Sequence, residues 1–162
     1  MPRAMKYVIP PALLALLLGF QIAGPAAAHC EVPCGIYGDQ ARFESMLEDT
    51  TTVTKAMAQI NELAGKTDAQ SVNQLARWVA NKESHATKIQ NTIGQYFMAQ
   101  RIKADKPNYV AQLTSAHAVI VKAMKCKQTV DAKNAAALKQ AILDFHAAYA
   151  GKKPSGHGHE HK

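Results

Sequence analysis

Nine residues, His29-Cys30-Glu31-Val32-Pro33-Cys34-Gly35-Ile36-Tyr37, hold the densest chemistry in the chain. They follow Ala26-Ala27-Ala28, a small-residue junction of the kind at which secretory leaders are cut. A cut after Ala28 makes His29 the first residue, with a free α-amine beside its imidazole. Cys30 then offers a backbone amide nitrogen and a thiolate, and Cys34 offers a second thiolate. Nitrogen and sulfur donors for one metal ion thus lie within six residues. The same cysteines have another reading. In an oxidising compartment Cys30 and Cys34 can close on each other as a disulfide, leaving Cys126, the third of three cysteines, over. A metal bound early would protect both sulfurs as thiolates.

His-Cys-x-x-Pro-Cys-Gly-x-Tyr at a mature N-terminus resembles the nickel hook of the nickel-containing superoxide dismutases. Asp39-Gln40-Ala41-Arg42-Phe43-Glu44, and the stretch from Asn81-Lys82-Glu83 to Gln95-Tyr96-Phe97, resemble that family as well. The resemblance covers roughly His29 to Lys103 well and the remainder weakly. It implies conversion of superoxide to O2 and hydrogen peroxide by nickel cycling between Ni(II) and Ni(III), with one nickel ion per subunit. It also implies a homohexamer of four-helix bundles with hooks at the subunit contacts.

By the same resemblance the His29 amine, the Cys30 amide nitrogen and the sulfurs of Cys30 and Cys34 are the equatorial ligands. The His29 imidazole is the axial ligand, gained in the oxidised state and lost in the reduced one. Tyr37 stands where the family has a tyrosine that screens the metal. Glu44, once a one-residue gap after Tyr37 is allowed, stands where the family has a carboxylate that hydrogen-bonds the axial imidazole. Such an outer partner sets the ring's orientation and basicity. The bland readings are loop packing for Tyr37 and a solvated helix charge for Glu44. Two departures stand out. Glu31 replaces an aspartate that follows His-Cys in some members, and the family's arginine in the imidazole network has no clear match, with Lys82 and Arg77 the nearest substitutes.

The chemistry explains the residue types. Dismutation needs a metal with two accessible oxidation states, and aqueous nickel lacks a useful trivalent one. Thiolates and a deprotonated amide donate strongly enough to stabilise it, and square-planar nitrogen and sulfur coordination suits divalent nickel as it does divalent copper. An uncut leader would remove the amine ligand, so processing is a chemical requirement as well as an address. A six-residue loop returning to one metal needs a tight turn. Pro33 suits one, and Gly35 lets the backbone come close or take positive φ.

Residues 1–28 read as a cleaved secretory signal. Arg3 and Lys6 form a positive start, and Ala12 to Phe20 is an apolar run too short to span a bilayer. The expected product is exported, periplasmic or secreted, with no stable membrane association after cleavage. The hook occupies 29–37, a single domain 38–151, and a polar tail 152–162 with His157, His159 and His161 is expected to be disordered. The formal charge of +7 falls to about +5 without the leader. The lysines are scattered with no aromatic-interleaved basic patch, which argues against nucleic-acid binding and leaves attraction of a small anion or plain solubility.

The fold class predicted is all-α, an antiparallel up-and-down four-helix bundle with an N-terminal metal-binding hook. Helix one starts near Asp39 as N-cap and carries Phe43, Met46, Leu47, Val53, Met57, Ile60 and Leu63 before Gly65. Helix two, capped by Thr67 or Asp68, is long and carries Val72, Leu75, Val79, Ala86, Ile89, Ile93, Phe97 and Ile102, with Gly94 marking a close approach or a bend. Helix three is capped by Asp105, has Pro107 in its first turn, and buries Tyr109, Val110, Leu113, Ala116, Ile120 and Met124. Helix four follows Asp131 and buries Leu138, Ile142, Phe145 and Tyr149.

The remaining chemistry-bearing residues have ordinary readings. His85, His117 and His146 are single helical histidines, better read as surface or satisfied core residues than as ligands. Cys126 reads as a buried small side chain. Met46, Met57, Met98 and Met124 read as core filler rather than a copper set. The rival to the enzyme is an exported, non-enzymatic nickel or copper carrier using the same N-terminus. A third reading is a metal-free bundle with a Cys30–Cys34 bridge.

Overall fold

The computed structural model describes residues 38–150. The signal segment, the hook with His29, Cys30, Cys34 and Tyr37, and the tail lie outside those residues. Four helices fill the described part: α1 Asp39–Leu63, α2 Ala69–Asn91, α3 Tyr109–Gln128 and α4 Ala132–Ala150. α2 continues directly into a π-helical segment, Thr92–Arg101. No strand occurs among the described residues, and no helix among them is long and apolar enough to cross a membrane.

Hydrogen bonds between helices fix their directions. On α1 and α2, Asp39 meets Tyr96 and Asp49 meets His85. On α2 and α3, Lys82 meets Cys126 and Gln90 meets Ile120. Asp39 at the start of α1 meets Tyr149 at the end of α4. In each pair the numbers rise on one helix as they fall on the other, so the neighbours are antiparallel. α1 packs on α2 and α4, and α3 packs on the same two. Short connectors force this up-and-down order. Gly65 takes φ +81 in the first of them, a conformation that suits glycine. Asp68 caps α2 by accepting from the Ser71 amide, and Asp131 accepts from the Lys133 amide at the start of α4.

The core runs through all four helices: Phe43, Met46, Val53 and Met57 of α1, Ala86 and Ile89 of α2, Ile93 and Phe97 of the π segment, Ala116 and Val119 of α3, and Leu138, Ile142 and Phe145 of α4. Phe43 is the hub at one end. Its ring lies 4.8 Å from Phe97, 5.2 Å from Phe145 and 4.3 Å from His146, all tilted contacts.

Sequence expectations for α2 and α3 differ from the structure at several points. The buried face of α3 is Gln112, Ala116, Val119, Ala123 and Cys126, so Val110 is 72% exposed and Met124 43%. The larger apolar side chains Leu113 and Ile120 are only partly buried at its flanks. On α2, Val72 is 50% exposed. The Lys82 Nζ bonds to the Cys126 and Lys127 carbonyls show why: α3 ends level with Lys82, and the first turns of α2 run past it. Finally, α3 begins at Tyr109 after Asn108, so Asp105 and Pro107 belong to the preceding turn.

Candidate metal centre

Among the described residues, no group of three His, Cys, Asp or Glu side chains is placed to hold a metal ion. Cys126 is fully buried in the core, and burial pushes its thiol up to about 11, which suits packing and not ligation. His117 is exposed, and His85 Nδ1 pairs with Asp49 Oδ1 between α1 and α2. The methionines do not converge either: Met46 and Met57 are core, whereas Met124 faces outward. His29, Cys30 and Cys34, the donors expected from the sequence, lie outside the described residues, which begin at the base of α1.

That base is built on Asp39. The sequence reading made it an N-cap, but Gly38 occupies the cap position and Asp39 is the first helical residue. Its carboxylate is directed across the bundle. Oδ1 accepts from the Tyr96 hydroxyl at 2.6 Å. Oδ2 accepts from Arg101 Nη2 at 2.7 Å and from the Tyr149 hydroxyl at 2.6 Å. Burial works to raise the Asp39 pKa, but the Arg101, Tyr149 and Tyr96 donors outweigh it and hold the carboxyl below its ordinary value. The two phenols move the other way, Tyr149 up to about 12, through burial and the bond to Asp39.

The π segment makes this convergence possible. In an α-helix, residues five apart point about 140° away from each other. Here the backbone bonds run from i to i+5, as from the Ile102 amide to the Phe97 carbonyl at 2.8 Å. That wider turn brings Tyr96 and Arg101 onto one face, where both reach Asp39. Such segments recur at functional sites. Gly94 sits within it, yet nothing among the described residues lies within 4 Å of where its Cβ would be. Its role is thus not close helix approach.

Glu44 lies on the exposed side of α1, little more than one turn from Asp39, where its Oε1 accepts from Gln40. It is the charge that acts on His146 of α4, although burial dominates and lowers the His146 pKa. His146 Nδ1 is buried without a hydrogen-bond partner among the described residues, so it is neither the surface histidine nor the satisfied core one that the sequence suggested. Arg42 Nη2 is likewise buried and unpartnered, while the guanidinium carbon stands 4.8 Å over the Tyr96 ring.

Lys82 and Arg77 do not reach this end. With Tyr96 beside Asp39, Lys82 lies 14 residues back along α2, about 21 Å at the helical rise. Lys82 is buried and spent on Glu83 and on the last carbonyls of α3, where a cation complements the helix dipole. The arginines near the start of α1 are Arg42 and Arg101. Sequence reading passed over the Asp39 cluster because its members lie 57 to 110 positions from Asp39. The signal within reach was tyrosine: Tyr96 and Tyr149 each sit at the edge of an apolar stripe, where a hydroxyl needs a partner.

The comparisons follow this geometry. The profile of the family described as nickel-containing superoxide dismutase matches residues 24–153. No curated protein and no solved structure gives a significant match.

Proposed function

The chain belongs to the nickel-containing superoxide dismutases, oxidoreductases whose cofactor is nickel, and from that premise we propose that His29, Cys30 and Cys34 hold the metal in an N-terminal hook. The observation that carries the reading is the donor set itself. An α-amine, an amide nitrogen and two thiolates within six residues suit divalent nickel, and the His29 imidazole would offer it a further nitrogen donor. The lack of any rival ligand cluster among the described residues supports it.

Bound nickel would supply a one-electron couple against which superoxide is alternately oxidised to O2 and reduced to hydrogen peroxide. The chain's own residues do the rest. Tyr37 screens the open face of the site and orders small molecules there. Glu44 accepts a hydrogen bond from the His29 imidazole and so keeps the ring oriented. Its carboxylate is exposed and bonded only to Gln40 among the described residues, which leaves it lone pairs for that bond. The positive net charge draws superoxide toward the protein.

Removal of residues 1–28 during export frees the His29 amine, so the working enzyme is periplasmic or secreted. A nine-residue hook is too short to cover its metal alone, and a homohexamer would complete each pocket from a neighbour.

Intact mass, nickel content and superoxide turnover of the exported protein test this together. The expected species starts at His29, carries one nickel and turns over superoxide. Cys34→Ser should leave the helices folded and abolish activity, and one added alanine before His29 should impair it strongly. Wild-type turnover in Cys34→Ser would reject the thiolate assignment. Nickel bound without turnover would indicate a carrier instead.

A further inference from the structure

The Asp39 carboxylate faces away from the task that its position suggests. An acid at the start of a helix ordinarily caps its own first amides, yet no side-chain cap bond is made at the start of α1. Asp39 instead gathers three donors from two other places in the bundle: Tyr96 and Arg101 of the π segment, and Tyr149 of the last turn of α4. The residue before it, Gly38, has φ 77 and ψ 149, a region open essentially to glycine alone. One clamped residue and one glycine with a defined turn thus stand between the bundle and the hook.

We propose that Asp39 is a positioning residue for the reaction: held by Tyr149, Arg101 and Tyr96, its carboxylate sets the place and direction from which the nickel-binding segment leaves the bundle. This rests on the hook reading above. Tyr37 is two residues from Asp39 and Cys34 five, so a shift at Asp39 passes directly to the screening tyrosine and the second thiolate. Three charge-assisted bonds make a stiff mount. A site that must keep its geometry through an oxidation cycle needs supports locked by their own hydrogen bonds. The clamp joins α1, the π segment and α4, so Asp39 is held by three elements and not by a single helix end that can fray.

The test measures the rate at which nickel is lost to an excess chelator, beside the electron paramagnetic resonance spectrum of the oxidised protein. Asp39→Asn and Tyr149→Phe are compared with wild type and with Ile142→Val, a core change remote from the clamp. Both clamp variants should release nickel roughly tenfold faster, the scale on which metal sites respond to loss of outer supports. Their oxidised nickel spectra should be altered. Ile142→Val should lower the melting temperature yet keep the wild-type release rate and spectrum. Tyr149→Phe removes one hydroxyl only and serves if Asp39→Asn fails to fold. Release at the wild-type rate from both clamp variants, or equally fast release from Ile142→Val, overturns the proposal. A wild-type protein that binds no nickel defeats the hook reading itself, which separates the two failures.

Discussion

The Tyr149 hydroxyl donates a 2.6 Å hydrogen bond to Asp39 Oδ2, tying the last turn of α4 to the first residue of α1 across 110 positions of chain. The Tyr149 ring packs 5.2 Å from Phe97 and 5.8 Å from Phe43, so the side chain contributes both apolar contact and a donor. Tyr149→Phe keeps the ring and deletes the donor. It should cost about 1.5–3 kcal/mol, the range for a hydrogen bond to a charged group. Urea denaturation at neutral pH measures it, and a loss below a few tenths would show the bond to be idle.

Acid should weaken the fold through Asp39. Its folded pKa lies below the ordinary value of 3.8. Above 3.8 the group is ionised in both states and its contribution is complete. As pH falls through 3.8 the unfolded chain takes up the proton first, and stability declines until the folded carboxyl is protonated too. Asp39→Asn should be less stable than wild type at pH 7 and should show a shallower decline below pH 4. Denaturation midpoints across pH 2–7 read both effects.

His146 should act in a higher window. Burial holds its pKa below 6.5, against an opposing pull from Glu44. Below 6.5 the unfolded chain is protonated before the folded one, so this residue contributes a loss of stability as pH drops toward its folded value. His146→Leu removes a buried Nδ1 that has no partner. It should leave stability unchanged or raise it by about 1 kcal/mol at pH 7, and flatten the slope between pH 6.5 and 5. Chemical denaturation at pH 5, 6 and 7.5 checks this.

Gly38 should tolerate no side chain. No described residue lies within 4 Å of the position of its Cβ, so the obstacle among them is backbone conformation and not crowding. Gly38→Ala should cost about 1–3 kcal/mol, or else be relieved by a change of direction at the start of α1. Thermal melting reads the first outcome, and faster nickel loss at wild-type stability reads the second.

Cys126 should resist alkylation while the protein is folded, since its thiol is buried and pushed up to about 11. In reduced, nickel-free protein at pH 8, iodoacetamide should label Cys30 and Cys34 quickly and Cys126 only on unfolding. Rapid native labelling at Cys126, found by peptide mass mapping, would contradict its place in the core.

The sequence alone pointed to the metal chemistry, because the proposed donors His29, Cys30 and Cys34 fall within one six-residue stretch. It also carried the helical class and the faces of α1 and α4, where large apolar residues recur at the helical period: Phe43, Met46, Val53 and Met57, then Leu138, Ile142 and Phe145. Tertiary structure decided what periodicity cannot. α3 turns Ala116, Val119, Ala123, Gln112 and Cys126 inward, and Val72 is exposed because α3 stops level with Lys82. It also decided the use of Asp39. A carboxylate at a helix start looks like a cap in one dimension, and only the π turn and the antiparallel return of α4 bring Tyr96, Arg101 and Tyr149 within bonding distance of it.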